Sequence, residues 1–501
     1  MMSIMNSGLV LFTIGICLST VYCDSGAERH RVVVVGAGAS GFSAAAALLE
    51  NDVSDIVVLE ASSRIGGRIL TVEYGGVPID LGAEYCDGMK ENVVYDYTKP
   101  HDLVAVFAPG AVLYANTSGH IFDTNEVQPL VDQAYSIIYE NDIRHFKGSV
   151  GDYFFPRLEK LMNTKDVEPE MREALQHLIP QLEGLYSSTD DLHHLGAWGS
   201  TEDWENEMHV LLNWKSGGFK TIFDFISKRY GNPSNEIPVE SKILLKKQVT
   251  KIEQQGGEVH VETADGSTYL ADHVIVTLPL GVLKDRAAQI FNPPLPERKT
   301  TAIETLGYGC GTKVFMLFPE KWWTIDNTMI TPLFSAKELS DYRANSEYGH
   351  WSANTTAFLP VLNHGSMLCA WFSGTSAEYV ETLPEAEVVD GLMELLDKLV
   401  GKTFKISRPE SILRSNWCSD PLIRGTVSYR SVASDSLNIS NTDLQQPILD
   451  STDKPVILFA GEATDPHYHG SVQAAISAGR REAQNIIDYL KKDVHSLHQE
   501  L

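Results

Sequence analysis

A strand, a glycine-rich turn and a helix follow one another without a gap near the start of the chain. The run Arg31–Val35 is typical of a buried strand, and Gly36-Ala-Gly-Ala-Ser-Gly41 leads from it into an alanine-rich helix. A second short strand, Ile56–Glu60, ends in an acid. This order of elements is a βαβ unit, which requires a parallel sheet. The chain is therefore predicted to build an α/β fold of the Rossmann type.

The residue types in this unit are those that a bound dinucleotide requires. Gly36 permits the tight turn, Gly38 lets the backbone approach a pyrophosphate, and Gly41 allows close packing of helix on strand. Ser40 and the amides at the start of the helix then face the phosphates, aided by the helix dipole. Glu60 lies about 20 residues beyond the turn, where its carboxylate accepts both ribose hydroxyls and disfavours the 2′-phosphate of NADP. The alternative, an ordinary α/β turn, does not explain this context.

A second turn distinguishes FAD from NAD. Arg64-Ile-Gly-Gly67-Arg68 follows the acid within a few residues. Its two glycines let backbone come close to a ligand, and its two arginines supply forked donors suited to phosphate. A site for NAD alone rarely needs such a turn, so FAD is the expected cofactor.

The other elements are spread over the whole chain. Residues 100–215 are mostly helical in pattern, and no internal repeat is present. Strands are predicted at Lys242–Ile252, Glu258–Thr263, Asp272–Pro279, Lys313–Phe318, Ser366–Phe372 and Val456–Ala460, and helices at Ala386–Val400 and Ser471–Leu490.

This arrangement predicts a discontinuous Rossmann-type FAD-binding domain with an interleaved α+β substrate-binding domain, made of a mixed sheet plus helices. The FAD-binding segments are predicted at 28–100, 216–300 and 406–490, and the substrate-domain segments at 101–215 and 301–405, with a tail at 491–501.

The charge balance limits the possible partners. The chain has 66 Asp and Glu against 40 Lys and Arg, a formal net charge of −26. An acidic surface repels nucleic acid and attracts cationic ligands, although many proteins carry such charge for solubility alone. We expect no nucleic-acid partner, and the sequence leaves the oligomeric state open.

The first 23 residues resemble a signal peptide. Leu9–Val21 is an apolar run of about 13 residues, which is short for a bilayer span and suits an h-region. Val21 and Cys23 fit the cleavage positions before Asp24, so residues 1–23 are the predicted signal peptide. The alternative is an uncleaved anchor. After cleavage no membrane association is expected, and the protein is predicted to be secreted or held in the ER lumen.

The cysteines and the glycosylation sequons also bear on whether the protein enters the secretory pathway. The four cysteines beyond residue 23 are far apart and lack C-x-x-C spacing, so no metal site is expected and their pairing stays open. Sequons at Asn116, Asn354 and Asn438 fit a glycoprotein. The ending His-Gln-Glu-Leu is similar to an ER-retrieval signal but lacks its usual Asp.

Several motifs together resemble the flavin-containing amine oxidase family, which includes polyamine, spermine and monoamine oxidases and histone-lysine demethylases. They are the stretch from Glu60 to Arg68, Asp80-Leu-Gly-Ala-Glu84, Phe459-Ala-Gly-Glu-Ala-Thr464 and the helix that follows, in family order over about residues 31–487. The resemblance implies bound FAD and adds further cofactor-binding residues: Gly82, Ala83, Glu84, Val249, Trp417, Glu462 and Val472.

The resemblance also indicates how the flavin is held. Monoamine oxidases attach it to the Cys of a Gly-Cys-Tyr motif, whereas the matching stretch here, Gly425-Thr-Val-Ser-Tyr429, has no Cys. Non-covalent FAD is therefore expected. The start of the last helix, near Val472, is implied to point at the flavin O2, where a helix N-terminus stabilises negative charge.

Two residues are the predicted catalytic groups. Lys313 heads an otherwise apolar strand and resembles the family's lysine near flavin N5, bridged by water. Many relatives have Asn before this lysine, where this chain has Thr312, which puts that neighbouring polar contact in doubt. Tyr429 resembles the aromatic residue beside the flavin, which orients an amine by cation–π attraction. A solvated lysine is the alternative for Lys313.

Three residues are predicted to bind substrate. Ser471 stands where monoamine oxidases have a second Tyr, and polyamine oxidases tend to have a small hydroxyl residue there. Asp87 matches a His or Glu at the tunnel mouth of polyamine-oxidising relatives and suits a distal ammonium, although a solvated turn Asp is the alternative. Glu202 belongs to an acidic cluster interleaved with Trp198 and Trp204, which suits a polycation or simply an exposed helix.

The resemblance implies an FAD-dependent polyamine oxidase. Hydride would pass from the α-carbon of a neutral amine to flavin N5, with O2 as acceptor, giving aldehyde, amine and hydrogen peroxide. The substrate would be spermine, spermidine or an N1-acetylated form. A secreted L-amino-acid oxidase is an alternative, although no Arg stands at a motif position suited to a substrate carboxylate. A histone demethylase is disfavoured by the signal peptide. An inactive FAD-fold carrier is the third, and Lys313 and Tyr429 argue against it.

Overall fold

The computed structural model describes residues 27–199, 210–324, 326–362 and 364–499. The predicted signal peptide at 1–23 and the predicted substrate residue Glu202 lie outside these residues. Within them, no helix is both long enough and apolar enough to span a bilayer.

The strands of the described part belong to two large sheets and three small ones. In chain order they are β1 (Glu28–Val35), β2 (Ile56–Leu59), β3 (Thr71–Tyr74), β4 (Val77–Asp80), β5 (Tyr85–Asp87), β6 (Val104–Val106), β7 (Ala111–Ala115), β8 (Leu211–Trp214), β9 (Ile243–Leu244), β10 (Val249–Gln255), β11 (Glu258–Thr263), β12 (Thr268–Val276), β13 (Phe291–Asn292), β14 (Gly307–Tyr308), β15 (Gly311–Leu317), β16 (Thr328–Pro332), β17 (Ala357–Pro360), β18 (Met367–Ser373), β19 (Ser411–Arg414), β20 (Ser428–Tyr429), β21 (Ile448–Leu449) and β22 (Pro455–Phe459).

The helices of the described part lie between these strands. They are α1 (Ala39–Glu50), α2 (Val93–Thr98), α3 (Thr124–Ser136), α4 (Val150–Thr164), α5 (Pro169–Ser187), α6 (Ile222–Ile226), α7 (Leu280–Ile290), α8 (Glu297–Thr305), α9 (Ala336–Asn345), α10 (Gly349–Ser352), α11 (Gly374–Thr382), α12 (Glu385–Val400), α13 (Val432–Ser436), α14 (Asn441–Gln445) and α15 (Val472–Gln499).

The first large sheet has nine strands and takes them from distant parts of the chain. Its order is β13-β10-β11-β12-β1-β2-β9, with β22 joined to β12 and β21 to β22. Strand β1 lies between β12 and β2, parallel to both, and Val32–Val35 are at most 2% exposed. Such runs are buried on both faces because helices cover a parallel sheet. Helix α15 packs along α1 and brings the end of the chain to this sheet.

The second large sheet has six strands in the order β19-β15-β18-β17-β16-β7. Strand β15 pairs antiparallel with β18 and β19, and only β16 and β7 are parallel. Its hydrophobic core includes the buried rings of Trp351 and Phe372 and the apolar face of α12. The helix predicted at Ala386–Val400 is this α12.

The observed fold is the expected mixed α/β arrangement. One predicted strand, Lys242–Ile252, is however wrong, because the structure divides it into β9 and β10. Lys246 adopts a left-handed conformation with φ 59°, and Lys247 donates its amide to the Glu60 carbonyl, so the chain turns between two strands. The second sheet also extends beyond residue 405, since β19 belongs to it.

Candidate active site

One cavity of about 410 Å³ is lined by residues from both large sheets. The turns after β1 and β2 line one end, and β15, β18, β20 and α5 line the other. Of the predicted site residues that the structure describes, Gly41 alone is absent from the lining. It packs instead, since a Cβ at Gly41 would lie 1.9 Å from the Gly36 carbonyl oxygen.

The turn after β1 leaves bare backbone facing the cavity. Gly36 has φ +102°, and Gly38 bridges to Gly66 in the second turn. A Cβ on Gly67 would lie 3.4 Å from the Gly38 Cα, so side chains there would narrow the gap. The Ser40 hydroxyl lines the same place, is buried, and has no hydrogen-bond partner among the described residues. An open hydroxyl beside a helix N-terminus fits the pyrophosphate of FAD.

Glu60 is held ready at the nucleotide end. Its Oε2 accepts from the Ala37 amide at 2.8 Å, and its Oε1 accepts from the Ser62 amide at 2.8 Å. Val249, the first residue of β10, lines the cavity close by. Two amides fix the carboxylate in one orientation, as recognition of a ribose requires.

The arginines of the second turn are engaged with the protein itself. Arg64 donates to the carbonyls of Ile65, Ile69 and Gly67, the last at 2.7 Å. Arg68 donates to Thr426 O at 2.6 Å and to Glu462 Oε1 at 2.8 Å. Both arginines therefore fold the turn, and their contact with a phosphate remains a prediction.

Glu462 links three segments of the chain that line the cavity. It is 3% exposed and accepts from Arg68, from the Ser428 hydroxyl, and from the Gly470 amide at 2.8 Å. Burial works to raise its pKa, but Arg68 and these donors hold the pKa of Glu462 below its ordinary value. Glu462 thus stays a carboxylate and positions the start of α15.

Lys313 lies at the far end of the cavity on β15. Its Nζ donates to Asp80 O at 3.0 Å, to Gly82 O at 2.8 Å and to Glu84 Oε2 at 2.7 Å. It also lies 4.7 Å from the ring centroid of Trp371. An ammonium has three N–H bonds, so each has an acceptor in the protein. Glu84, predicted from the family motif to contact the cofactor, is the counterion of this lysine.

Thr312 lies on the opposite face of β15 from Lys313, as alternation along a strand requires. Its hydroxyl bonds Glu381 Oε1 at 3.0 Å. Glu381 also accepts from the amides of Cys418 and Ser419. The departure from the family's Asn thus faces away from Lys313.

A disulfide that the sequence left open links two walls of the cavity. Cys310, just before β15, is bonded to Cys418, just after Trp417. The Trp417 indole donates to Leu81 O at 2.9 Å and lines the cavity. The bond therefore joins the segment that carries Lys313 to the segment that carries Trp417.

Aromatic and small residues complete the reacting end. The Tyr429 ring packs against Gly307, where a Cβ would lie 2.1 Å from a ring atom, and burial raises the pKa of its hydroxyl. Ser471 donates to Tyr468 O at 2.7 Å and accepts from the Ala474 amide, which caps α15. Val472 lines the cavity, so the N-terminus of α15 opens onto it.

Two carboxyl groups, those of Asp87 and Glu183, also line this cavity. Loss of hydration raises the pKa of Asp87 to about 7. It also raises the pKa of Glu183 to about 7, against a hydrogen bond from Tyr135 that lowers it. Burial raises the pKa of the Tyr186 hydroxyl, and the charges of Glu183 and Asp87 raise it further. Both groups line the same cavity as Lys313.

Glu183 is not among the residues predicted from the sequence, although α5 carries a signal for it. Leu175, Ile179 and Glu183 are four residues apart and all buried, so one row of the helix is apolar except for a carboxyl group. A buried acid in an apolar row is costly unless it has a partner or a task. That mismatch is a reason to examine Glu183.

Comparisons with known proteins agree with this geometry. The family model of flavin containing amine oxidoreductase matches residues 39–487. The chain is 28% identical to "Probable polyamine oxidase 5" of Arabidopsis thaliana, over 93% of this chain and 99% of the relative. It is 29% identical to the human "Peroxisomal N(1)-acetyl-spermine/spermidine oxidase", over 91% and 94% of the two chains.

A solved structure has a similar fold. A putrescine oxidase double mutant superposes with a TM-score of 0.66 and 17% identity, covering 92% of this chain and 100% of that one.

Proposed function

The chain belongs to the flavin-containing amine oxidoreductases and is an FAD-dependent amine oxidase, and from this premise we propose that it oxidises polyamines: spermine, spermidine or their N1-acetylated forms. The observation that carries the proposal is the pair of carboxyl groups, Asp87 and Glu183, in the same cavity as Lys313. A substrate with several nitrogens can place one at the reacting end and another between the carboxylates.

Different residues along the cavity would bind different parts of the substrate. Asp87 and Glu183 accept hydrogen bonds from a distal ammonium and so fix the length of the substrate. Tyr429 and Trp371 flank the reacting nitrogen and exclude water, which favours its neutral form. Because Glu84 compensates the charge of Lys313, this end does not repel a cationic substrate. The chemistry that bound FAD supplies is oxidation of the carbon beside that nitrogen, with O2 as final acceptor.

We propose that the FAD is held without a covalent bond. None of the cysteines in the described part of the chain lines the cavity, and two of them form the disulfide. The glycine turns, Ser40 and Glu60 supply the contacts instead. The positive end of α15 near Val472 favours the negative charge of a reduced flavin.

A route through the secretory pathway is also proposed. The apolar segment at 9–21 supports it, and so does the Cys310–Cys418 disulfide, because such bonds persist mainly in oxidising compartments.

An L-amino-acid oxidase is less well supported. Arg430 does line the cavity, but its guanidinium donates to Asp435 at 2.8 Å and is 2% exposed. It is thus engaged within the protein and not presented to a substrate carboxylate.

A peroxide assay tests the proposed function. Wild-type protein loaded with FAD is supplied with spermine, spermidine, N1-acetylspermine, a monoamine and a panel of L-amino acids. We expect peroxide chiefly from the polyamines, and the Lys313→Met variant should be much slower while retaining yellow FAD. Peroxide from amino acids alone, or full turnover by the variant, would contradict the assignment.

A further inference from the structure

Two tyrosine hydroxyls form a chain behind Glu183. The Tyr135 hydroxyl donates to Glu183 Oε2 at 2.9 Å, and the Tyr139 hydroxyl donates to the Tyr135 oxygen at 3.0 Å. Tyr135 is on α3 and Tyr139 ends the 3-10 turn that follows it. Neither tyrosine lines the cavity, whereas Glu183 does. The two hydrogen-bonded tyrosines therefore support the Glu183 carboxyl group from the side that faces away from the cavity.

This support acts on both the direction and the charge of Glu183. A donor fixed on Oε2 leaves Oε1 as the free acceptor of the carboxyl group, and it favours the ionised form. Burial raises the pKa of Glu183 and the Tyr135 hydrogen bond lowers it, and together they place it at about 7. The balance lies where a modest change alters the charge at neutral pH.

We propose that Tyr135, backed by Tyr139, is a positioning residue that holds Glu183 as a charged acceptor for the distal ammonium of a polyamine. The inference rests on the proposed function, since it assumes that Glu183 binds this ammonium. Two residues outside the cavity, Tyr135 and Tyr139, would then determine how strongly a polyamine is bound. They would also determine the pH above which it is bound.

Few other charged or titratable groups reach Glu183 in the described part of the chain. Tyr186 lies one turn further along α5, and Asp87 on β5 lines the same cavity. Strand β18 contacts this part of α5 through Ser373, which bonds Gly184 O and carries no charge.

The remaining helices that pack against α5 bring their charges elsewhere. Helix α9 meets the first half of α5, where Arg343 acts on His177. On α4, Arg157 pairs with Glu140. Tyr135 is thus the principal donor that tunes this carboxylate.

The test measures kcat/KM against pH with FAD-loaded enzyme, for spermine and for a monoamine. Tyr135→Phe removes one oxygen atom and little volume. We expect the acidic limb of the spermine profile to move up by about one pH unit, which lowers kcat/KM about tenfold below the limb. The kcat at saturating spermine and the monoamine profile should stay unchanged. Tyr139→Phe should give a smaller shift in the same direction.

Two further measurements separate the possible failures. Flavin content and Tm establish that each variant is folded, and Glu183→Gln tests the carboxylate directly. If Glu183→Gln leaves spermine kinetics unchanged, the role given to Glu183 under the proposed function is wrong, and the inference falls with it. If Glu183→Gln weakens spermine capture but Tyr135→Phe leaves the limb in place, only the inference is overturned. Equal losses for spermine and monoamine would likewise overturn it, since they indicate a merely structural role.

Discussion

At the scale of single residues, the Lys313–Glu84 pair decides the electrostatics of the reacting end. Both side chains are largely buried, at 8% and 13% exposure. The three N–H groups of the ammonium all donate hydrogen bonds to acceptors in the protein. Pairing a buried charge offsets its desolvation, whereas removing one partner leaves the other uncompensated. The lysine is therefore held in place by its own surroundings before any ligand arrives.

Glu84→Gln should destabilise the protein by about 3 kcal/mol, because the buried ammonium loses its counterion. The double variant Glu84→Gln with Lys313→Met should recover part of this loss, since no charge is then left unpaired. Urea unfolding of wild type, the two single variants and the double variant measures both effects. Strictly additive losses would show that the pair is not energetically coupled.

Asp87 gives the site a second dependence on pH. Its pKa is raised to about 7, so it is neutral at pH 5 and ionised at pH 9, and capture of a cation should improve as pH rises through about 7. Asp87→Asn should flatten that rise for spermine and lower kcat/KM about tenfold at pH 8. Steady-state kinetics over pH 5–9 provide the measurement, with a monoamine as the substrate whose profile should not change.

The same pKa shift has the opposite sign for stability. Because the folded state prefers protonated Asp87, its favourable contribution is present at acid pH and is lost as pH rises from about 4 towards about 7. Asp87→Asn should therefore have a higher Tm than wild type at pH 8 and little advantage at pH 4. A lower Tm at pH 8 would refute this.

At the scale of elements, local pattern was sufficient where it was strong. The valine run of β1, the glycine turn into α1 and the apolar stripe of α12 are local features, and each lies where it was predicted. The break between β9 and β10 was not foreseeable, since it depends on a left-handed Lys246 and a bond to Glu60 from another segment.

In the site, too, residues in local motifs were predicted, and residues brought in by tertiary packing were not. The glycine turns, Lys313 and Tyr429 sit in recognisable motifs, and the structure brings these residues to one cavity. Glu183 was not predicted because only tertiary packing brings α5 to the cavity. The disulfide partner of Cys310 was equally open, since spacing along the chain says nothing about distance in space.

The Cys310–Cys418 disulfide should stabilise the folded protein, because it joins the segment before β15 to the segment after Trp417. It closes a loop with a sequence separation of 108 residues, and such a cross-link contributes about 4 kcal/mol by limiting the unfolded chain. The double variant Cys310→Ser with Cys418→Ser should unfold at lower urea and release FAD more readily, since the Trp417 wall is freed. A reductant should have the same effect on wild type and none on the variant. A stability unaffected by reductant would argue against the bond.

At the scale of the whole molecule, two of the three sequons differ in the hydrogen bonds that their asparagine side chains make. Asn438 is exposed, whereas the Asn354 amide donates to Ser376 at 2.7 Å and accepts from Arg343 at 2.7 Å. If the chain passes through the secretory pathway as proposed, we expect glycan on Asn438 and none on Asn354. Peptide mass spectrometry after enzymatic deglycosylation reads the occupied sites, and glycan at Asn354 would contradict the structure.

The nine-stranded sheet has a consequence for biosynthesis. A ribosome delivers β1 long before β22, yet both pair with β12 in the finished sheet. Domains form as units while the chain emerges, and contacts between distant segments form slowly. Until the residues that follow β22 have been made, the nascent enzyme lacks Glu462 and α15, so it cannot close its crevice around FAD. Loading with the vitamin-derived group is then a late step, because the sheet stays incomplete until β22 has joined β12.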